Sequence, residues 1–144
     1  MDKQQILIVD DEQLVVSELV EFLKDEPYEI FTARNGIEGF EILRKEEVGL
    51  AVVEMKIKGM DGMTLLERVK EEKIQTVMLI MTSSGNMELG AEVIKAGAVS
   101  VFDKPIEKDV FLAKVKKYMP LQDIWKNAMC DFKILRGRQN QAGL

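Results

Sequence analysis

Short segments, three of them almost wholly apolar, alternate along the chain with longer amphipathic segments. The apolar segments have the length and composition of strands that are covered on both faces. They predict five strands, at residues 5–9, 28–33, 50–54, 76–81 and 99–102. The amphipathic segments predict five helices, near residues 13–25, 36–46, 64–72, 87–96 and 107–119. The pattern therefore predicts five strand–helix units in succession.

This alternation predicts an α/β fold. Strands that alternate with helices form a parallel sheet with helices on both faces, and right-handed crossovers leave few topologies. We expect a doubly wound five-stranded parallel sheet with the strand order 2-1-3-4-5. Ligands bind such sheets at the carboxyl ends of the strands, beside the point where the strand order reverses.

Residues with chemical function stand at those ends. Asp10 and Asp11 follow the first predicted strand, and Glu54 ends the third. Thr82 follows the fourth strand, and Lys104 comes shortly after the fifth. Acids, a hydroxyl and a lysine that converge at one edge of a sheet describe a pocket for Mg²⁺ and phosphoryl chemistry.

These segments resemble the response-regulator receiver family, whose domains have the flavodoxin-like (CheY-like) fold. Five motifs carry the resemblance, each at a strand end: residues 6–12 (ILIVDDE), residues 54–62 (EMKIKGMDG), Thr82-Ser83, Gly97-Ala98 and Lys104-Pro105. The resemblance covers residues 4–119. Five motifs in the right order make it highly specific, whereas one Asp-Asp or Lys-Pro pair would mean little.

The resemblance implies a role for each acidic and basic residue of the pocket. Asp10 and Asp11 would hold Mg²⁺, with the backbone carbonyl of Lys56 as a further ligand. Position 54 is the phosphoacceptor position. Lys104 and the metal would neutralise the incoming phosphoryl group.

The resemblance also implies a switch. Thr82, which precedes the small Ser83, would hydrogen-bond a phosphate oxygen and move with it. Pro105 would form a cis peptide bond that places the lysine before it over the pocket. Val101 stands at the switch position, where a Tyr or Phe rotamer usually reports activation.

Three positions depart from the family pattern. Glu54 replaces the usual aspartate, Lys58 stands where a proline is common, and Val101 replaces the switch aromatic. Phe102 is next to Val101, but a shift of one residue in a strand points a side chain to the other face of the sheet. We therefore do not expect Phe102 to act as the switch.

The longer side chain of Glu54 changes the expected chemistry. One extra methylene displaces the acceptor oxygen, and a misplacement of about 1 Å can cost on the order of a hundredfold in rate. We therefore expect Glu54 to prevent normal aspartyl phosphorylation. Either Mg²⁺ binds at Asp10 and Asp11, or Lys104 and Glu54 close the site as an ion pair.

Glu54 leaves three interpretations open. The chain could be a natural pseudo-receiver that works without phosphorylation, always active or recognised directly by a partner. It could be a laboratory Asp→Glu variant of an ordinary receiver, made to imitate activation. Glu54 could also pair with Lys104 without any consequence for signalling. The departures at Lys58 and Val101 favour the natural receiver.

The expected function is a regulatory protein-interaction module of a two-component phosphorelay, rather than an enzyme. Its partners would be a histidine kinase or phosphotransfer protein, or a downstream output protein that binds residues 87–119. The alternative is a phosphorylation-competent response regulator that catalyses its own phosphorylation and controls an output domain. A flavin binder with this strand order would need a phosphate-binding loop where Asp10, Asp11 and Glu12 would repel phosphate.

Composition excludes further classes. The net charge of −5 argues against direct nucleic-acid binding. The absence of histidine excludes histidine-based catalysis and histidine-ligated metals. No apolar run approaches the roughly 18 residues that span a bilayer, and the polar N-terminus does not resemble a signal peptide. We therefore expect a cytoplasmic protein without a membrane partner.

Residues 1–119 are predicted to form the receiver domain, and residues 120–144 a C-terminal helical extension with a frayed tail. Apolar residues recur there at helical spacing, at Leu121, Ile124, Ala128, Phe132 and Leu135. Trp125 and Met129 add candidate anchors. The extension could pack on its own domain or on a neighbouring copy, form a homodimer seam, or begin a linker to an output domain.

Overall fold

The computed structural model describes residues 3–83 and 87–119. Within these ranges strands and helices alternate in the predicted order. The predicted extension at 120–144 lies outside the described residues. Its helix, its domain boundary and its homodimer seam therefore stay predictions.

Each of the five strands and five helices predicted before residue 120 is present. The strands are β1 (Gln4–Val9), β2 (Tyr28–Ala33), β3 (Val48–Glu54), β4 (Val77–Thr82) and β5 (Ser100–Asp103). The helices are α1 (Gln13–Phe22), α2 (Gly36–Lys45), α3 (Gly62–Glu71), α4 (Met87–Lys95) and α5 (108–119).

Local chemistry explains where two helices depart from their predicted bounds. Helix α1 ends at Phe22, three residues before the predicted end at 25. The residue before a proline avoids the helical region, so Pro27 disfavours a continuation through Glu26. Helix α3 begins at Gly62 rather than at 64, because the Asp61 side chain caps it by accepting a hydrogen bond from the Thr64 N–H at 2.8 Å.

The sheet has the predicted order, β2-β1-β3-β4-β5, and every neighbouring pair of strands is parallel. Its register aligns the carboxyl ends of the central strands. Val9 is paired with Val53, Glu54 with Met81, and Thr82 with Asp103. The predicted site residues therefore meet at one edge of the sheet.

Two apolar layers cover the sheet. Every residue of β3 is buried, because this strand lies at the centre with helices on both faces. One layer joins Leu7, Val9 and Val53 to α2, α3 and α4. The other layer joins Ile6 and Ile8 to α1 and α5. Alternate strand residues thus belong to opposite layers, as the two-residue period of a strand requires.

The two layers confirm the expectation for positions 101 and 102. Val101 packs against the α2–α4 layer, whereas Phe102 is buried in the α1–α5 layer. The ring of Phe102 lies 5.8 Å from the ring of Phe111 on α5. Phe102 is therefore a core residue and does not take the place of the switch aromatic.

Substitution of two glycines tests how closely the loop after β3 packs on α2. A Cβ at Gly36 would lie 1.8 Å from the Met60 carbonyl oxygen, whereas a Cβ at Gly90 would meet nothing within 4 Å. We expect Gly36→Ala to lower the free energy of unfolding by about 1–3 kcal/mol, as overpacking does. Gly90→Ala should raise it by up to about 1 kcal/mol, because alanine is the better helix former. Urea unfolding of both variants measures the difference, and equal effects would contradict this packing.

Candidate functional site

The strand ends form a polar pocket inside an otherwise apolar core. Among residues 3–83 and 87–119 the buried polar residues are Asp10, Glu54 and Thr82, each at most 5% exposed. All three are predicted site residues. Burying polar groups is costly unless they are paired. Their coincidence at one edge of the sheet therefore marks this edge as the functional one.

Lys104 connects the ends of two strands. Its Nζ donates a hydrogen bond to Asp10 Oδ2 at 2.7 Å and lies 2.9 Å from Glu54 Oε2. The lysine side chain is only 11% exposed. Its backbone N–H donates to the Thr82 carbonyl at 2.9 Å, and a cis peptide bond joins it to Pro105, as expected. One ammonium group thus lies between two buried carboxylates.

Asp10 is held on both sides. Its backbone N–H donates to the Ala33 carbonyl at 3.1 Å, which ties the end of β1 to the end of β2. Its Oδ1 accepts a hydrogen bond from the Glu12 N–H at 2.9 Å, while Oδ2 accepts from Lys104. Both carboxylate oxygens therefore have partners within the protein.

The carboxylate of Glu54 has weaker hydrogen bonding than that of Asp10. Its Oε2 is buried and close to Lys104, yet it makes no hydrogen bond of good geometry. The attraction to the ammonium is therefore mainly that of two charges at 2.9 Å. The backbone N–H of Lys56 is a second favourable contact of this carboxylate. Glu54 thus fills the pocket without full satisfaction of its oxygens.

These surroundings alter the ionisation of the pair. Burial raises the pKa of Glu54, and the negative charge of Asp10 adds to this, although Lys104 and the Lys56 N–H oppose it. Burial by itself would lower the pKa of Lys104, but Asp10 and Glu54 outweigh burial and the net shift is upward. Lys104 is therefore firmly cationic, and Glu54 keeps its proton to a higher pH than an exposed glutamate.

The donor set does not fit a divalent metal in this arrangement. Asp10 has committed one oxygen to the Glu12 N–H and the other to Lys104, and Asp11 is exposed. No group of three or more acidic, histidine or cysteine residues in the described part of the chain could hold a metal ion. The structure therefore shows the ion pair between Lys104 and Glu54, and Mg²⁺ binding at Asp10 and Asp11 stays a prediction.

The sequence did not predict Glu12 as a site residue, but the structure places it beside Asp10 and Lys104. Its N–H orients Asp10, and its exposed carboxylate lies 3.5 Å from Lys104 Nζ. The signal was its place as the third acid in a row after β1. The Lys56 N–H contacts the Glu54 carboxylate, and the metal-ligand role of the Lys56 carbonyl stays a prediction.

The other predicted residues surround this centre. Ser83 is exposed and lines a cleft of about 320 Å³ together with Lys104, Pro105 and α1 residues such as Val15. Val101 is partly buried one strand residue before Phe102. Lys58 is exposed on the loop after β3.

The fold and the pocket define the class of receiver domains. The chain belongs to that family, because the family described as the response regulator receiver domain matches residues 6–116. Among curated proteins it is 38% identical over 122 residues to Sporulation initiation phosphotransferase F of Bacillus subtilis, covering 85% of this chain and 98% of that protein. It is 30% identical over 104 residues to the transcriptional regulatory protein GlrR of Escherichia coli, covering 72% of this chain but 23% of the relative. The chain thus spans about a quarter of the length of such regulators.

Solved structures agree on the fold. The receiver domain of a Luxo repressor protein from Vibrio parahaemolyticus matches with a TM-score of 0.84 and 24% identity, covering 88% of this chain and 98% of that one. A CheY-like receiver domain from Methanospirillum hungatei matches with a TM-score of 0.79 and 27% identity, covering 85% and 98%.

The chain is therefore a receiver domain of two-component signalling and a regulatory module. Receiver domains interact with histidine kinases or phosphotransfer proteins and with output domains, and they generally bind Mg²⁺ at the phosphorylation site. None of the helices in the described ranges is long and apolar enough to span a membrane. The cytoplasmic location stays a prediction.

Removing the charge of Lys104 should lower the free energy of unfolding, because Asp10 and Glu54 are buried beside it. Lys104→Met leaves Asp10 and Glu54 buried without their cation, which typically costs about 3–5 kcal/mol. Lys24→Met is the control, because Lys24 pairs with Glu21 at 2.6 Å but both side chains are exposed. Exposed pairs contribute little. Chemical denaturation should show a large loss for the first variant only; similar losses would contradict the buried ion pair.

The raised pKa of Glu54 predicts a dependence of stability on pH. Above the ordinary glutamate pKa of 4.5 the folded chain holds this proton more tightly than the unfolded chain does. Stability therefore falls as the pH rises through the folded pKa. Glu54→Gln removes this titration, so its free energy of unfolding should rise relative to the unmodified chain between pH 4.5 and neutrality. Urea titrations across that range measure the difference, and a constant difference would show that the pKa is not raised.

Proposed function

We propose that this receiver signals without phosphorylation at position 54, as an interaction module whose pocket is closed by an internal ion pair. The observation that carries the proposal is the position of Lys104 Nζ, 2.7 Å from Asp10 Oδ2 and 2.9 Å from Glu54 Oε2. All three side chains are nearly buried. The cation that would neutralise a phosphoryl group is thus already neutralised by the protein.

The geometry of Glu54 supports the absence of phosphotransfer. An acceptor oxygen must lie in line with the donor phosphorus, near 3 Å, and small displacements are costly. The Oε2 atom of Glu54 is instead directed into the protein, beside Lys104. This position opposes attack on a donor.

The same contact supports a signalling state that does not switch. A phosphoryl group carries a charge of about −1.5 to −2, whereas one carboxylate carries −1. Glu54 therefore brings part of that negative charge to Lys104. A permanent contact of this kind favours one conformation continuously, which is also what an Asp→Glu variant made to imitate activation would do.

We propose further that Lys104, and not Mg²⁺, supplies the positive charge of the pocket in the resting chain. Asp10 would have to release Lys104 before Oδ2 could ligate a metal. When bound, Mg²⁺ would be held by Asp10 and Asp11 with the carbonyl of Lys56, and would supply charge neutralisation at the phosphoryl position.

The partner surface in this proposal comprises α4, β5 and α5, within residues 87–119. Ile94 on α4 and Val110 on α5 are 46% and 45% exposed. Exposed apolar side chains suit a protein partner, such as a histidine kinase, a phosphotransfer protein or an output protein. The net charge of −5 supports a protein rather than nucleic acid. The chain would act by binding, without catalytic turnover.

Intact-mass spectrometry after incubation with acetyl phosphate and Mg²⁺ tests the proposal. The unmodified chain should keep its mass, because Glu54 is misplaced for attack. The matched control Glu54→Asp, shorter by one methylene, should gain the mass of one phosphoryl group. Adding Asp11→Ala to that control should abolish the gain.

Two results would contradict the proposal. A stoichiometric gain by the unmodified chain that is lost on Asp11→Ala would show that Glu54 accepts phosphate. Failure of Glu54→Asp to gain mass would show that something other than the length of residue 54 blocks phosphorylation.

A further inference from the structure

An apolar cleft lies at the edge of the sheet opposite the pocket. It separates the carboxyl-terminal parts of α3 and α4 and has a volume of about 270 Å³. We call it the α3–α4 cleft; its apolar walls are Leu66, Val69, Ile74, Met78, Ala96 and Gly97. A Cβ at Gly97 would meet nothing within 4 Å, so the cleft is open on this side.

The course of the helices brings the end of the described chain to the same edge. Each helix of a parallel α/β fold returns the chain from the carboxyl ends of the strands to their amino ends. Helix α3 ends at Glu71, α4 at Lys95 and α5 at 119. The segment that follows 119 therefore begins at the edge where the α3–α4 cleft opens.

This following segment, residues 120–144, is long and apolar enough to reach the cleft. Residues 121–135 would form a helix about 22 Å long at 1.5 Å per residue. Helix α5 packs on the other face of the sheet from α4, but β5 is the edge strand between them. The segment needs only to pass around β5. Its stripe includes Ile124, Trp125, Met129 and Phe132, a larger apolar set than monomeric proteins usually leave in water.

We propose that residues 120–144 dock on their own domain, with Trp125 in the α3–α4 cleft. An aromatic side chain buries roughly 150–250 Å² on such contact and makes a strong anchor. A second cleft at this edge is lined by Lys3, Glu29, Lys45, Glu46 and Glu47 and does not fit an apolar stripe. Burying those charges without partners would be costly.

Docking in this cleft would bring the C-terminal segment into contact with the end of α4. The cleft uses Ala96 and Gly97, directly after the last residue of α4, and α4 carries the exposed Ile94 of the proposed partner surface. The segment would therefore stabilise one position of this helix from the edge opposite the phosphoacceptor pocket. This inference does not depend on the phosphorylation state of Glu54.

The only tryptophan of the chain reports directly on the docking. In the full chain, Trp125 fluorescence should be blue-shifted and protected from acrylamide, relative to N-acetyltryptophanamide. Ile74→Ser, in the wall of the cleft, should shift the emission to the red and increase quenching. The matched control is Leu14→Ser, which removes an exposed apolar side chain from α1, away from the cleft, and should change neither. Circular dichroism checks that each variant is folded, and Ala96→Gln, at the other wall, replaces Ile74→Ser if that variant unfolds.

Sedimentation velocity at two protein concentrations separates docking within one chain from docking between chains. Blue-shifted emission at a constant monomer mass, lost in the cleft variant alone, supports the proposal. Emission like that of the free tryptophan derivative would overturn it, as would equal effects of the cleft and control variants. Emission that depends on concentration together with a dimer mass would place the segment on a second copy and would also overturn it.

Discussion

The buried ammonium of Lys104 is the contact on which the functional edge of the domain depends. Asp10 and Glu54 come from the ends of β1 and β3 and lie in a nearly dry pocket, where two carboxylates would repel each other. Lys104 enters from the end of β5, and its backbone N–H is bonded to the end of β4. One charge from a remote part of the sequence thus joins four strand ends. Removing Lys104 would leave both carboxylates buried without a cation.

This ion pair also shapes the functional interpretation. A receiver needs a cationic pocket for an added phosphoryl group, and here an extra methylene brings the receiver's own carboxylate to that cation. Glu54 is incompletely hydrogen-bonded and its pKa is raised, so it contributes charge where the pocket needs it at some cost in solvation. The fold and the membership of the family do not depend on residue 54, whereas the chemistry at the strand ends depends on it.

The two edges of the sheet differ in chemical character. The carboxyl edge holds the charged pocket, and the amino edge holds the apolar α3–α4 cleft and the end of α5. Helix α4 runs between them and presents Ile94 outward. Docking of the C-terminal segment in that cleft, as proposed above, would allow regulation of α4 from the edge opposite the pocket.

The sequence alone determined the strand order, the positions of all ten elements within about three residues, and the residues of the pocket. Strong local signals made this possible: apolar strands, amphipathic helices and polar residues that follow strands. The sequence also predicted that Val101 and Phe102 face opposite layers, because the period of a strand is two residues. Only the tertiary structure shows the ion pair of the pocket, since this contact depends on the distance between residues 94 positions apart, Asp10 and Lys104. It also decided the part of Glu12 and of the Lys56 N–H, because backbone groups carry no signal in the sequence and act only where the folded chain directs them.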